Sequence, residues 1–244
     1  PPLKISFPPL QGGCCFLVSL AWSHVLGRCV MAGLVAVVGS RELPASWASA
    51  VTDVVRSLLQ RGCRIGTGGA LGADLFALQA VVASGALACA GSMVFLPGDI
   101  SQAPTRCRPV LHTFVSQGGE LVPGQAFRGC SRHQYLSALF ARTIALVKRA
   151  EGVVAFIAGE SAGTWFTCRE TVRLGKPVVV FPVDGPRGLR SIGCGSWRPV
   201  LGWAGAWRWF HSVALGEKCR HGITVQCCAG LPEPVREETE RVVA

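Results

Sequence analysis

Three times in this chain an apolar run stops at a glycine, continues through small residues and then takes up a helical pattern. Residues 34–38 (LVAVV) run into Gly39-Ser40-Arg41, a shorter run at 63–65 into Gly66-Thr67-Gly68-Gly69-Ala70, and residues 152–158 (GVVAFIA) into Gly159-Glu160-Ser161-Ala162-Gly163-Thr164. An apolar run without alternation is the signature of a strand covered on both faces, as in a parallel sheet. Strand, glycine turn and helix repeated in that order imply right-handed crossovers and a doubly wound, mostly parallel α/β sheet with helices on both faces.

The remaining pattern fills in the same architecture. Trp47, Ala50, Val51, Val54, Val55, Leu58 and Leu59 recur at helical spacing, predicting a helix over 44–60 that Gly62 closes. Further helices are expected over 73–84, 110–117, 134–150 and 164–174, and strands over 92–96, 119–122 and 177–181. Residues 31–184 would form this domain. Residues 1–30 are expected to be a disordered or non-native extension, because Met31 stands directly before the first strong strand. Residues 185–244 change character, with Trp197, Trp203, Trp207 and Trp209 among glycines and arginines ahead of an acidic end. That tail admits base stacking, a small subdomain covering a sheet edge, or little order.

Composition narrows the partners. The 244 residues carry 24 Lys and Arg against 14 Asp and Glu, a formal charge of +10, which attracts polyanions and equally suits a plain basic surface. The 12 cysteines lie singly or as adjacent pairs with no CxxC, so reduced thiols in a cytoplasmic protein are the simplest account. Cys219, His221, Cys227 and Cys228 match no standard zinc spacing, and neither a metal nor a cofactor is expected. The apolar stretch 16–30 is too short to span a bilayer and contains His24 and Arg28, so no membrane partner is expected.

The chemistry lies in the turns. Each joins the carboxyl end of a strand to the start of a helix, where free N–H groups and the helix dipole favour an anion. Gly39, Ser40 and Arg41 offer close backbone approach, a hydroxyl and a guanidinium fork suited to phosphate. Thr67, Gly68 and Gly69 form a second cradle, and Gly163 with Thr164 a third. All would sit along one edge of the sheet, where open α/β folds hold ligands. Asp74, Asp99, Arg142, Thr167 and Glu170 are candidate ligand contacts, although Asp74 at a helix start also serves as a dipole partner and Asp99 as a turn stabiliser. No GxGxxG and no GxxxxGK[ST] occurs.

The order VAVVGSR, RIGTGGALGADLFAL, VFLPGD and LFARTIALVKRAEGVVAFIAGESAGTWFTCRETVRLGKPVVVFP resembles the SLOG superfamily, and within it the Rossmann-like domain of the DNA-processing protein DprA (Smf) family. The resemblance covers about residues 33–183. The family's GSR turn corresponds to Gly39, Ser40 and Arg41. Its SGxAxGxD signature corresponds to Thr67, Gly68, Ala70, Gly72 and Asp74, and its SG[ST]xxTA element loosely to Ala162, Gly163, Thr164, Thr167 and Cys168. The resemblance implies a Rossmann-like fold binding a nucleotide-like molecule or single-stranded DNA, with a homo-oligomer as an option. Leu71 replaces a basic residue common in relatives, and the basic stretch before the late helix is reduced to Arg142, Lys148 and Arg149. The chain is also similar to the cytokinin-activating phosphoribohydrolases, whose PGGxGTxxE turn would here place Thr167 at the glutamate position. That family implies an enzyme acting on a nucleoside monophosphate; the missing carboxylate favours binding over catalysis.

Overall fold

The computed structural model describes residues 33–211. Eight strands form one sheet: β1 (Leu34–Gly39), β2 (Arg64–Thr67), β3 (Met93–Phe95), β4 (Glu120–Val122), β5 (Gly152–Ile157), β6 (Val178–Pro182), β7 (Gly195–Pro199) and β8 (Trp207–His211). The helices are α1 (Ala48–Gln60), α2 (Ala73–Ala83), α3 (Ala86–Gly91), α4 (Arg108–Ser116), α5 (Arg132–Arg149) and α6 (Ala162–Arg173). The spatial order is β4-β3-β2-β1-β5-β6-β8-β7. The first six strands are parallel, and β8 and β7 continue the sheet antiparallel beyond β6.

Winding proceeds outward from β1 to β4 and then jumps to the other side of β1 for β5. The loops leaving β1 and β5 therefore diverge to opposite faces, opening a crevice above their carboxyl ends, the place where doubly wound sheets hold ligands. The sheet is covered on both sides, as the unbroken apolar runs require. Val35 and Val37 of β1 pack with Val54, Leu58, Leu78, Leu111 and Phe114 on the face of α1, α2 and α4. Leu34, Ala36 and Val38 point the other way, toward Leu146, Val147, Trp165 and Val172 of α5 and α6.

Several boundaries shift for local reasons. Residues Ala45–Trp47 form a 3-10 turn after Pro44, so α1 itself begins at Ala48. Strand β2 extends through Gly66 and Thr67; a Cβ on Gly66 would stand 2.9 Å from a Leu146 methyl, so the strand needs glycine to lie against α5. Helix α5 starts two residues before the predicted position because Ser131 and Gln134 make a reciprocal capping box. The short α3, made of alanine and glycine with one leucine and one cysteine, was not anticipated.

Past Asp184 the chain forms a hairpin in which Trp197 lies opposite Trp209, their rings 5.1 Å apart, while Trp165 meets Trp197 at 6.2 Å. Trp203 packs on Phe181 at 5.5 Å. Three of the four tail tryptophans thus serve to attach a sheet edge. Cys89, Cys107 and Cys168 are buried thiols outside any disulfide. The expected extension at 1–30, the acidic end and the Cys219, His221, Cys227 and Cys228 group lie outside the described residues.

Candidate nucleic-acid interface

A cleft of about 560 Å³ opens where β1 and β5 part, bounded by the turns after those strands, the first turn of α6 and the upper half of α5. Its floor is built from small residues. The Ser40 hydroxyl donates to the Ala158 carbonyl at 3.1 Å and accepts from the Ala158 amide at 2.8 Å, stapling the ends of β1 and β5. Ser40 therefore shapes the crevice with its hydroxyl proton already engaged. Gly39 is required beside it: a Cβ would overlap the Phe156 carbonyl and stand 2.6 Å from the Ala73 Cβ.

Beneath the cleft lies an ion pair. Arg142 of α5 approaches the Asp74 carboxylate at 3.7 Å, with side chains only 10% and 5% exposed, and donates to the Gly68 carbonyl. The Ala70 amide donates to the same carboxylate at 3.3 Å. A Cβ on Gly68 would overlap the Arg142 guanidinium, so this glycine makes room for a buried arginine. Burial pushes the Asp74 carboxyl up, opposed by Arg142, by the amides of Ala70 and Gly39 and by Arg41. Burial likewise lowers Arg142. The pair holds a guanidinium at the floor of the cleft, where the Nε of Arg142 has no protein partner. A buried donor left without an acceptor carries a desolvation penalty.

The upper end of the cleft is a corner between Arg41 and the start of α6. Arg41 is exposed at the mouth and makes no salt bridge among the described residues. At the start of α6, the Ser161 hydroxyl is engaged with Thr164 Oγ1 at 2.8 Å and caps no backbone amide. The first-turn amides of Ala162 and Gly163 have no hydrogen-bond partner among the described residues, and Gly163 lines the cleft at the positive end of the helix dipole. The Cβ position of Gly163 is open space. Across from this corner stands an apolar wall of Leu136, Leu139 and Phe140 from α5 and Phe166 from α6. Phe140 is 50% exposed and meets Phe166 edge-to-face at 4.9 Å. Glu42 and Glu160 stand at the rim, and Glu160 pairs with Arg190.

Of the residues singled out from the sequence, Gly39, Ser40, Arg41, Asp74, Arg142, Gly163, Thr164 and Thr167 surround this one cleft. Thr167 Oγ1 donates to the Gly163 carbonyl at 3.0 Å and so stiffens the first turn of α6. Thr67, Gly68 and Gly69 do not line it. Thr67 is buried, Gly68 serves Arg142 through its carbonyl, and Gly69 (φ 64°) packs toward Leu96 and Val94, leaving Ala70 as the member of that turn that reaches the cleft. Asp99 caps the next turn by accepting from the Ser101 amide at 2.7 Å. Glu170 accepts from Arg173 at 2.9 and 3.1 Å, outside the cleft lining. Sequence reasoning missed the apolar wall, whose signal is the i, i+4, i+7 spacing of Leu136, Phe140 and Thr143 on a helix that buries only Ala138, Leu146 and Val147.

A family model for DNA recombination-mediator protein A matches residues 26–196. Among solved structures, the chain is similar to DNA processing protein A from Helicobacter pylori, described for its single-stranded DNA binding mode, at 20% identity and a TM-score of 0.50 over 62% of this chain and 65% of that one. It is similar as well to DNA processing protein A from Streptococcus pneumoniae, at 19% identity and a TM-score of 0.50 over 66% of this chain and 54% of that one. The match spans less than two thirds of either structure's chain. No curated protein matches. The fold, its switch-point cleft and the family match agree: the chain belongs to the DNA recombination-mediator protein A family.

Proposed function

We propose that this protein binds single-stranded nucleic acid at the switch-point cleft, holding a phosphate at the Arg41 and Gly163 corner and a base against Phe140. One observation carries the reading: a single cleft joins an anion corner to an exposed aromatic wall. A phosphate and an unpaired base are the two halves of one nucleotide, and a base face is free to stack only in a single strand. The corner consists of Arg41 and the first turn of α6 at Gly163. The similarity to a Helicobacter pylori protein described for single-stranded DNA binding supports it.

Hydrolysis of a nucleoside monophosphate is the competing reading. It needs a carboxylate free to move a proton. Asp74 is paired with Arg142 and Glu170 with Arg173, so binding is favoured. We place the protein in the cytoplasm, as its buried free thiols suit a reducing compartment. Among the described residues no helix is long and apolar enough to cross a membrane.

Titration of a fluorescent oligo(dT) and of a nucleoside monophosphate at two salt concentrations tests the proposal. Arg41→Ala should weaken oligo(dT) by about 1.5–3 kcal/mol, the worth of a charge-assisted hydrogen bond, or roughly 10- to 150-fold. Unchanged affinity would remove Arg41 from the site, and release of free base from the monophosphate would transfer the cleft to the hydrolase reading.

A further inference from the structure

Helix α5 precedes β5 and so descends from the carboxyl edge of the sheet, with Arg132 at its top. Leu136, Phe140 and Thr143 line the cleft, and Arg132 stands one turn above Leu136 on the same face, exposed. The loop before it folds back over the end of β3, where the Ala126 amide donates to the Pro97 carbonyl at 2.8 Å. A turn closed by the Cys130 amide on the Phe127 carbonyl at 3.1 Å then leaves Phe127 56% exposed and Arg128 in solvent.

This surface has a consistent chemistry. Six large apolar side chains are exposed among the described residues, and three of them, Phe127, Leu136 and Phe140, fall on this loop and helix face. From Leu121 to Ala150 the chain has no acid, in a protein where acids number 14, and the cations exposed at this end are Arg128 and Arg132. Aromatic and aliphatic faces interleaved with arginines, on a segment that carries no carboxylate of its own, fit one class of occupant, a single strand whose bases stack while its phosphates meet cations. A duplex would hide its bases.

We infer that the bound strand leaves the cleft along α5 and crosses Leu136 to Arg132, Arg128 and Phe127, forming an extended track. The inference rests on the binding function proposed for the cleft. Eight residues separate Arg132 from Phe140, about 12 Å along a helix, which spans roughly three to four stacked nucleotides. The cleft holds the first nucleotide and the track holds those that follow.

The test is a length series of 5′-labelled oligo(dT), with thymidine monophosphate as competitor for the cleft alone. Wild-type affinity should rise steeply with length up to about four or five nucleotides and level off beyond. The triple variant Phe127→Ser, Arg128→Ala, Arg132→Ala alters exposed side chains and leaves the Ser131–Gln134 cap intact. It should bind (dT)6 at least about tenfold more weakly, with the salt slope reduced by about 1.4 for two phosphates on a single strand, and should bind the monophosphate as wild type does. The charge reversal Arg132→Glu alone should weaken (dT)6 in the same direction. If the triple variant matches wild type in affinity and slope while Arg41→Ala still loses binding, the track is wrong and the cleft stands. If Arg41→Ala is also without effect, the cleft function falls and the track with it.

Discussion

Replacing Gly163 by alanine separates binding from stability, because the two should move in opposite directions. Gly163 sits in the first turn of α6 with ordinary helical geometry, and a Cβ there meets no protein atom within 4 Å. The fold has no objection to the methyl. Alanine in place of a helical glycine stabilises by about 0.4–1 kcal/mol, chiefly by reducing the freedom of the unfolded chain. For a chain of this size the melting temperature should rise by roughly 1–4 °C. Yet Gly163 lines the cleft, and the added methyl holds a phosphate away from the first-turn amides. Loss of one or two hydrogen bonds to a charged group is worth about 1.5–3 kcal/mol, or roughly 10- to 150-fold in affinity. Thermal melts and fluorescence anisotropy with labelled oligo(dT) measure the two effects on the same preparation. A variant that melts higher and binds as tightly as wild type would show that no phosphate approaches this helix terminus.

Three further outcomes follow from the same geometry. Gly39→Ala should destabilise by roughly 1–3 kcal/mol in urea unfolding, since the new Cβ overlaps the Phe156 backbone and presses on Ala73. Lys176→Met should lower stability by about 1–2 kcal/mol, because the ammonium donates to the carbonyls of Val147, Lys148 and Ala150 at 2.9, 2.7 and 2.6 Å and closes the carboxyl end of α5; water replaces part of that loss at a half-exposed site. For Asp74, a folded-state pKa raised by burial means that the folded protein binds the proton more tightly than the unfolded chain. Its contribution is therefore fully present below the unfolded value near 3.8 and is lost as pH rises through the folded one. Relative to Asp74→Asn, wild type should lose unfolding free energy as pH is raised from about 4, and a flat difference across that range would contradict the assignment.

The central strands were legible because burial on both faces leaves no room for alternation: the runs at 34–38, 152–157 and 178–181 are apolar throughout and all are covered. The glycine turn after β1 was legible because a Cβ on Gly39 has no room beside the Phe156 carbonyl, and that after β5 because Gly159 takes a φ of 57°. The turn after β2 misleads by composition alone. Its glycines admit Arg142 and pack under Leu96, a use of small residues that reads the same as a phosphate cradle until the partner is seen. The β7–β8 hairpin was hidden because its tryptophans pack on Trp165, on Phe181 and on one another, contacts that spacing along the chain does not announce. Phe140 and Phe166 look like core positions in a helical pattern, and only the topology, by setting both beside the crevice where the chains leaving β1 and β5 part, turns them into a wall. A lone Arg142 likewise gives no sign in sequence that its partner lies 68 positions away at Asp74.

Occupation of the crevice between β1 and β5 by a single strand is read out by amide NMR during titration with a 5′-phosphorylated oligo(dT). The largest shifts should fall on Arg41, Phe140, Gly163 and Thr164, saturating together with a single affinity. Shifts confined to the β7–β8 hairpin or to the amino edge of the sheet, with those four amides unmoved, would contradict it.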